Sequence, residues 1–162
     1  MLLDRADIET ALSDLVHRLA EHGERATISL VGGAALALRY FDRDSTRDVD
    51  GIFRPSSAVN EIAEEIARER GWSPGWLNDD VKNSGGLPFA RVEWVTIYDV
   101  DDLVVQVASA RMLLAMRLKA GRPARDSNDI AMLLTICGVP TAEDAEELFE
   151  EFYPGELPRE ST

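Results

Sequence analysis

Apolar and polar positions recur along this chain with changing period, and each change of period marks an element. Over residues 6–22, Ile8, Leu12, Leu15 and Leu19 return at helical spacing with Ala11 and Val16 beside them, and Gly23 follows. This predicts an amphipathic helix with one buried face. "ATISLV" is a short β-branched and apolar run that stops at Gly32-Gly33 and reads as a buried strand. "AALALRYF" resumes helical character, and "DRDST" ends it with cap and turn formers. "RDVDGIF" predicts a second strand, with Asp48 and Asp50 on one face because side chains i and i+2 point the same way.

After Pro55, "SSAVNEIAEEIARERG" combines a serine cap, apolar residues at helical spacing and a terminal glycine. "WSPGWLNDDVKNSGGLP" is broken by proline and glycine and reads as loop with a short helix around Trp76 to Lys82. "FARVEWVTIY" and "LVVQVA" predict two strands joined by the acidic turn "DVDD". Helices are expected over about Ala110 to Ala120, Asp126 to Cys137 and Thr141 to Phe152, with Thr141 capping the last. No internal repeat or low-complexity segment interrupts the pattern. The expected fold class is α+β with α/β-like character: a small mixed sheet of three to five strands flanked by helices, with a helical C-terminal tail. One domain is expected over 1–162, its core at 25–108 and its helical part at 109–153.

Composition narrows this further. With 162 residues and 45% hydrophobic content the chain suffices for one core and is short for two. The single cysteine, Cys137, excludes an intramolecular disulfide and a cysteine-rich metal site. Its apolar surroundings, "IAMLLTICGV", predict a buried structural thiol. The start, "MLLDRADIETALSDLV", lacks the basic beginning and continuous apolar stretch of a signal peptide, and no run approaches transmembrane length. A cytoplasmic location with no membrane partner is the expectation. The formal charge of −13 excludes coating of nucleic acid by bulk electrostatics. Charge is nevertheless segregated: residues 111–125 hold Arg111, Arg117, Lys119, Arg122 and Arg125 without one acid, whereas 141–162 hold eight acids against Arg159 alone. The basic stretch can therefore offer a local groove to an anionic partner.

A strand running into two glycines and then a helix lets a polyphosphate approach the backbone, where amide donors and the helix dipole favour it. Two carboxylates on one strand face can share Mg²⁺-type cations, which want hard oxygen ligands and substrate phosphate oxygens. Two metals held this way activate an attacking oxygen and stabilise a leaving pyrophosphate, which together describe nucleotidyl transfer. Structural roles for the same residues stand beside this one. The glycines can simply end a strand, and Asp48 and Asp50 can form a solvated strand edge between Arg47 and Arg54. Lys119 and its arginines can be a solvated helix face, Asp126 a helix cap, and Asp129 a first-turn acid favourable to the dipole. His17 and His22 have no partner at metal-ligand spacing, and Trp72, Trp76 and Trp94 read as packing residues.

"VGGAALALRY…STRDVDGIF" resembles the signature of the nucleotidyltransferase-fold, or polymerase-beta-like, superfamily, and in particular its abortive-infection (AbiEii-like) toxin branch. "LLAMRLKAGRPARDSNDIAMLL" is similar to that branch's downstream helix pair, and "GWLNDDVK" and "FYPGEL" look like its short bacterial relatives. The resemblance runs from about Ile28 to Leu157. It implies transfer of a nucleotidyl group from a nucleoside triphosphate (NTP), dependent on Mg²⁺ or Mn²⁺, to a tRNA 3′ end or a protein hydroxyl. The implied biological role is the toxin of a bacterial toxin–antitoxin pair, with a cognate antitoxin as partner. By the same resemblance Gly32 and Gly33 match the phosphate turn, Asp48 and Asp50 the metal carboxylates, and Lys119 the basic residue facing the nucleotide phosphates. Asp126 and Asp129 match the acids of the following helix; Arg39, Thr46 and Lys82 are further candidates to meet the nucleotide. The superfamily usually supplies a third carboxylate from a later strand. Glu93 in "RVEWV" is the candidate here, since Gln106 on the other strand cannot replace an anionic ligand. Without a third carboxylate the alternative is a catalytically inactive binding module or antitoxin-like subunit. A weaker third possibility is kinase-like transfer of the terminal phosphate.

Overall fold

Asp4 starts the first helix. Its carboxylate accepts from the Asp7 N–H at 2.8 Å while the Asp7 carboxylate accepts from the Asp4 N–H at 3.0 Å, a reciprocal capping box. Helix α1 (Arg5–Glu21) then buries Ile8, Ala11, Leu12, Leu15, Val16 and Leu19, the face that the helical spacing predicts. Five strands follow in the chain: β1 (Ala26–Val31), β2 (Val49–Arg54), β3 (Leu77–Asn78), β4 (Trp94–Val100) and β5 (Leu103–Ala108). They form one mixed sheet in the order β3-β2-β1-β5-β4. β1 runs antiparallel to β2 and parallel to β5, and β2 runs parallel to β3. The fold is thus the expected mixed sheet flanked by helices.

The computed structural model describes residues 1–43 and 45–158, apart from the side chains of 123–125. Contacts divide it into two compact units, Met1–Val81 with Trp94–Val107, and Lys82–Glu93 with the described chain from Ala108 onward. In the first unit, α2 (Gly32–Arg39) and α3 (Ser56–Arg70) pack with α1 and with the central strands. One sheet face contributes Ile28, Leu30, Val49, Phe53, Val105 and Val107 to the core. Trp76 is fully buried beside them and donates its indole N–H to the Ala63 carbonyl at 2.8 Å. The alternate positions Asp50, Ile52, Val104 and Gln106 are half-buried on the other face, as period-2 geometry requires.

The second unit is helical. α4 (Ala110–Ala120) is capped by Ser109, whose hydroxyl accepts from the Met112 N–H at 3.0 Å, and it ends at Gly121 in the left-handed conformation. It packs against α5 (Pro123–Cys137) and α6 (Ala142–Phe152), the latter capped by Thr141 as expected. Met112, Leu114, Leu133, Leu148 and Phe152 are buried here, and Phe149 stacks on Tyr153 with centroids 5.0 Å apart.

Several expectations need correction. α2 begins at Gly32 rather than after the glycines, with extended Val31 at its cap. α3 is preceded by Pro55 and has no side-chain cap, so Ser56 is its first residue instead. The proline-rich loop contains two-residue β3 and a short 3-10 helix at Asp80–Asn83. α5 begins at Pro123, whose missing N–H and fixed φ suit the first helical position, so Asp126 lies within the first turn and is not the cap. Cys137 is half-buried, because α5 turns Met132 and Ile136 to solvent at 45% and 44% exposure. Partial burial still pushes its thiol pKa up. Among the described residues no helix is long and apolar enough to cross a membrane.

Candidate functional site at the first strand–helix junction

Val31, the last residue of β1, pairs across the sheet with Asp50 of β2. The chain leaves β1 through Gly32, whose φ of +68° lies in the left-handed region that side chains rarely tolerate. A Cβ at Gly32 would stand 3.3 Å from Oδ2 of Asp50, so this glycine keeps the space beside the carboxylate open. A Cβ at Gly33 would meet Nη1 of Arg43 at 2.1 Å and Oγ1 of Thr46 at 3.4 Å. The Arg43 guanidinium therefore occupies the room that Gly33 leaves at the first turn of α2.

The segment entering β2 is held from both sides. Leu3 and Thr46 exchange backbone hydrogen bonds of 2.7 and 2.9 Å, and the Thr46 hydroxyl donates to the Asp48 carbonyl at 3.1 Å. The Val49 N–H then donates to the Trp76 carbonyl at 2.6 Å. Val49 is buried and Asp50 half-buried, the alternation that sets Asp50 on the face away from the core, whereas half-buried Asp48 precedes β2 rather than lying within it as expected. Gly32, Gly33, Thr46 and Asp50 are thus brought together, with Asp48 tied to them through Thr46.

Arg43 is the residue that the sequence reading missed. It lies in the turn-forming stretch "DRDST", and because Arg39, Arg43 and Arg47 all stand between the glycine pair and the aspartate pair, nothing along the chain singles it out. Its planar fork suits phosphate oxygens. Arg39, by contrast, is exposed at the far end of α2, about 10 Å along the axis from the glycines at 1.5 Å per residue. Lys82 is exposed on the 3-10 helix.

The remaining candidates belong to the second unit. Glu93 precedes β4 and is not within it. Its carboxylate accepts from Arg91 Nε at 2.7 Å and from the Ser109 hydroxyl at 2.9 Å, with Arg111 Nε at 3.8 Å. Lys119 Nζ lies 2.5 Å from Glu156 and 4.6 Å from the centroid of the Tyr153 ring. Asp126 and Asp129 are both buried and share Arg117, at 3.2 and 3.5 Å, and Arg122 Nε lies 3.3 Å from Asp126. The basic stretch, acid-free along the chain, is accordingly matched by acids in space: Arg111 also pairs with Glu151. The Arg125 side chain and Arg159 lie outside the described residues.

Within the sheet, the neighbours of Asp50 are Val31 on β1 and Asn78 on β3. Gln106, on the half of the sheet beyond β1, donates to the Ser29 hydroxyl at 2.8 Å. Among the described residues no group of three or more acidic, histidine or cysteine side chains converges as a metal cage would. The candidate site is instead the Asp50 carboxylate beside a glycine-led helix start, with the Thr46 hydroxyl and the Arg43 guanidinium at Gly33 and Asp48 joined to Thr46 through its carbonyl.

No protein-family model matches the chain, and no curated protein matches it. A solved structure does: the crystal structure of an antigenic nucleotidyltransferase-like protein from Paracoccidioides brasiliensis, with a TM-score of 0.54 and 13% identity over 91% of this chain and 88% of that one. At that identity the likeness is one of fold. The mixed five-stranded sheet flanked by helices is a nucleotidyltransferase-like fold.

Proposed function

We propose that this protein is a nucleotidyltransferase that uses an NTP with Mg²⁺ or Mn²⁺ and modifies a tRNA 3′ end or a protein hydroxyl. The observation that carries the reading is the open space beside the Asp50 carboxylate, maintained by Gly32 at the start of α2. Mg²⁺ is commonly held by one or two carboxylates together with substrate phosphates and water, so Asp48 and Asp50 are a sufficient protein contribution. The bound cation would supply charge neutralisation at the phosphates and activation of the attacking oxygen. The residues themselves have separable tasks. Asp48 and Asp50 hold the cation, and the α2 N-terminus gives amide donors to a phosphate that glycine lets approach. Thr46 fixes the backbone of Asp48, and Arg43 presents a guanidinium at the phosphate turn. Lys119 and the helical unit are assigned to the triphosphate and acceptor by the family resemblance alone. The same resemblance motivates a toxin role with a cognate antitoxin.

A second reading is favoured by the sheet positions flanking Asp50, which carry Val31 and Asn78 in place of an acid. It describes a nucleotide-binding module without transfer activity. Incubation with each α-labelled NTP, Mg²⁺ or Mn²⁺, and either total tRNA or protein lysate separates the two. The enzyme reading expects label on one acceptor class and pyrophosphate release, both abolished in Asp48→Asn and Asp50→Asn. NTP binding with no transfer would establish the module instead, and transfer surviving both substitutions would remove the assigned site.

A further inference from the structure

The sheet ends on a strand with few of the usual protections of an edge. β4 is the terminal strand, paired with β5 through the two-residue turn Asp101-Asp102, both at positive φ (52° and 64°) as a type I′ hairpin requires. Half of its backbone N–H and C=O groups therefore face away from β5, and among the described residues no strand pairs with them. Natural edges are blunted by charged side chains, lysine above all, by proline or by very short length, and Asp99 is the one charge on β4. β4 has seven residues with no lysine, arginine or proline, and it exposes Ile97, Tyr98 and Val100 at 41%, 40% and 48%.

An apolar groove of about 280 Å³ adjoins this edge. Leu12 and Val16 of α1, Leu38 of α2 and Val105 of β5 line it together with Ile97 and Tyr98. Its size falls just below the roughly 300–1,000 Å³ of small-molecule sites, and it lies along a strand, so it suits side chains projecting from an added strand. Of the acids around it, Asp99 and Asp101 have no basic partner among the described residues. Asp99 and Asp101 are exposed on the hairpin, Glu9 lines the groove and pairs with Arg5, and His17, which also lines it, pairs with Glu21. Asp102 is matched by Arg25 at 3.5 Å.

We infer that β4 is a docking edge for an extended basic polypeptide that adds a sixth strand, seating alternate apolar side chains in the groove and placing Lys or Arg against Asp99 and Asp101. Charge selects this occupant over a second copy of the chain, since β4 carries an acid and no base and the molecule is already at −13. The inference is independent of the proposed activity.

The probe is a fluorescent eight-residue peptide alternating valine and threonine, with two lysines at each end. Saturable binding by fluorescence anisotropy is expected, weakened at least tenfold when glutamates replace the lysines. It is equally weakened when alternate peptide amides are N-methylated on the strand-pairing edge. Ile97→Lys, at an exposed position, should weaken binding at least tenfold while leaving the circular dichroism spectrum and melting transition unchanged. Tyr98→Ser gives a second, uncharged test with the same expectation. Absence of binding, or binding indifferent to peptide charge and to both substitutions, would overturn the docking edge. A dimer in sedimentation experiments that Ile97→Lys dissociates would overturn the basic partner in favour of a second copy.

Discussion

Oδ2 of Asp50 stands 3.3 Å from the point that a Cβ on residue 32 would occupy, so the glycine and the carboxylate are complementary across the β1–β2 pair. Gly32→Ala meets two penalties at once, a φ of +68° and crowding of the carboxylate. Left-handed strain costs of order 1–3 kcal/mol for a residue with a side chain. Urea unfolding should show a loss in that range, and NTP transfer or binding should fall at least tenfold. Gly71→Ala is the control, since it shares the φ of +68° and nothing lies within 4 Å of its Cβ position. Equal effects at both glycines would show that the Asp50 contact has no special role.

Arg43 and Gly33 make a different pair. A Cβ at residue 33 would fall 2.1 Å from Nη1, but that atom is the end of a flexible side chain and can move. Gly33→Ala should therefore change stability by less than about 1 kcal/mol, while displacing the guanidinium from the phosphate turn. On the proposed function, Gly33→Ala and Arg43→Ala should each raise the NTP KM several-fold, with Arg43→Lys intermediate because it keeps charge and loses the fork. Unchanged KM in Arg43→Ala would exclude the guanidinium from phosphate binding.

The elements with strong periodicity were readable in advance: the buried face of α1, strands β1 and β5, and the caps of α1's successors at Gly71 and Thr141 all follow local rules. The half-buried outer position of Asp50 next to buried Val49 was readable for the same reason, since a strand's two faces are fixed by its pleat. Arg43 was not, because its position depends on a close approach that only Gly33's missing side chain permits. The pairing of Lys119 with Glu156 and of Arg117 with two aspartates was equally hidden, since tertiary neighbours decide whether a basic run faces solvent or acids. β3 is two residues long and leaves no periodic trace at all.

The junction of α1 and α3 carries an acid-sensitive network. Arg18 donates to Asp14 at 2.8 Å and to Glu65 at 3.1 Å and also pairs with Glu69, while Arg70 donates to Asp14 at 3.3 Å. The Arg18 hydrogen bond holds the Asp14 carboxyl below its usual range. A depressed carboxylate contributes stability above its unfolded pKa, near 3.9, and loses that contribution as pH falls through the lower folded value. Arg18→Met should cost about 1 kcal/mol near neutral pH, given the partial exposure of the partners. The difference from the unaltered protein should shrink below about pH 4 in urea titrations. A difference that stays constant from pH 7 to pH 3 would show that Arg18 acts through packing of its stem.

Arg117 holds Asp126 and Asp129 together where their side chains are only 2% and 9% exposed. Two carboxylates buried that deeply need a cation, and removing one partner of a buried pair costs about 3–5 kcal/mol. Arg117→Met should destabilise by that order, and adding Asp126→Asn and Asp129→Asn should recover much of the loss because the uncompensated charge disappears with them. The family resemblance gives the same aspartates a role in meeting the nucleotide, and the two roles separate experimentally. Arg117→Met with both asparagines restores the fold by neutralising the cluster, so measured transfer should return with stability if the acids serve structure alone. Transfer that stays at least tenfold down in the restabilised triple variant would instead assign the carboxylates a part in nucleotide binding beyond their pairing with Arg117.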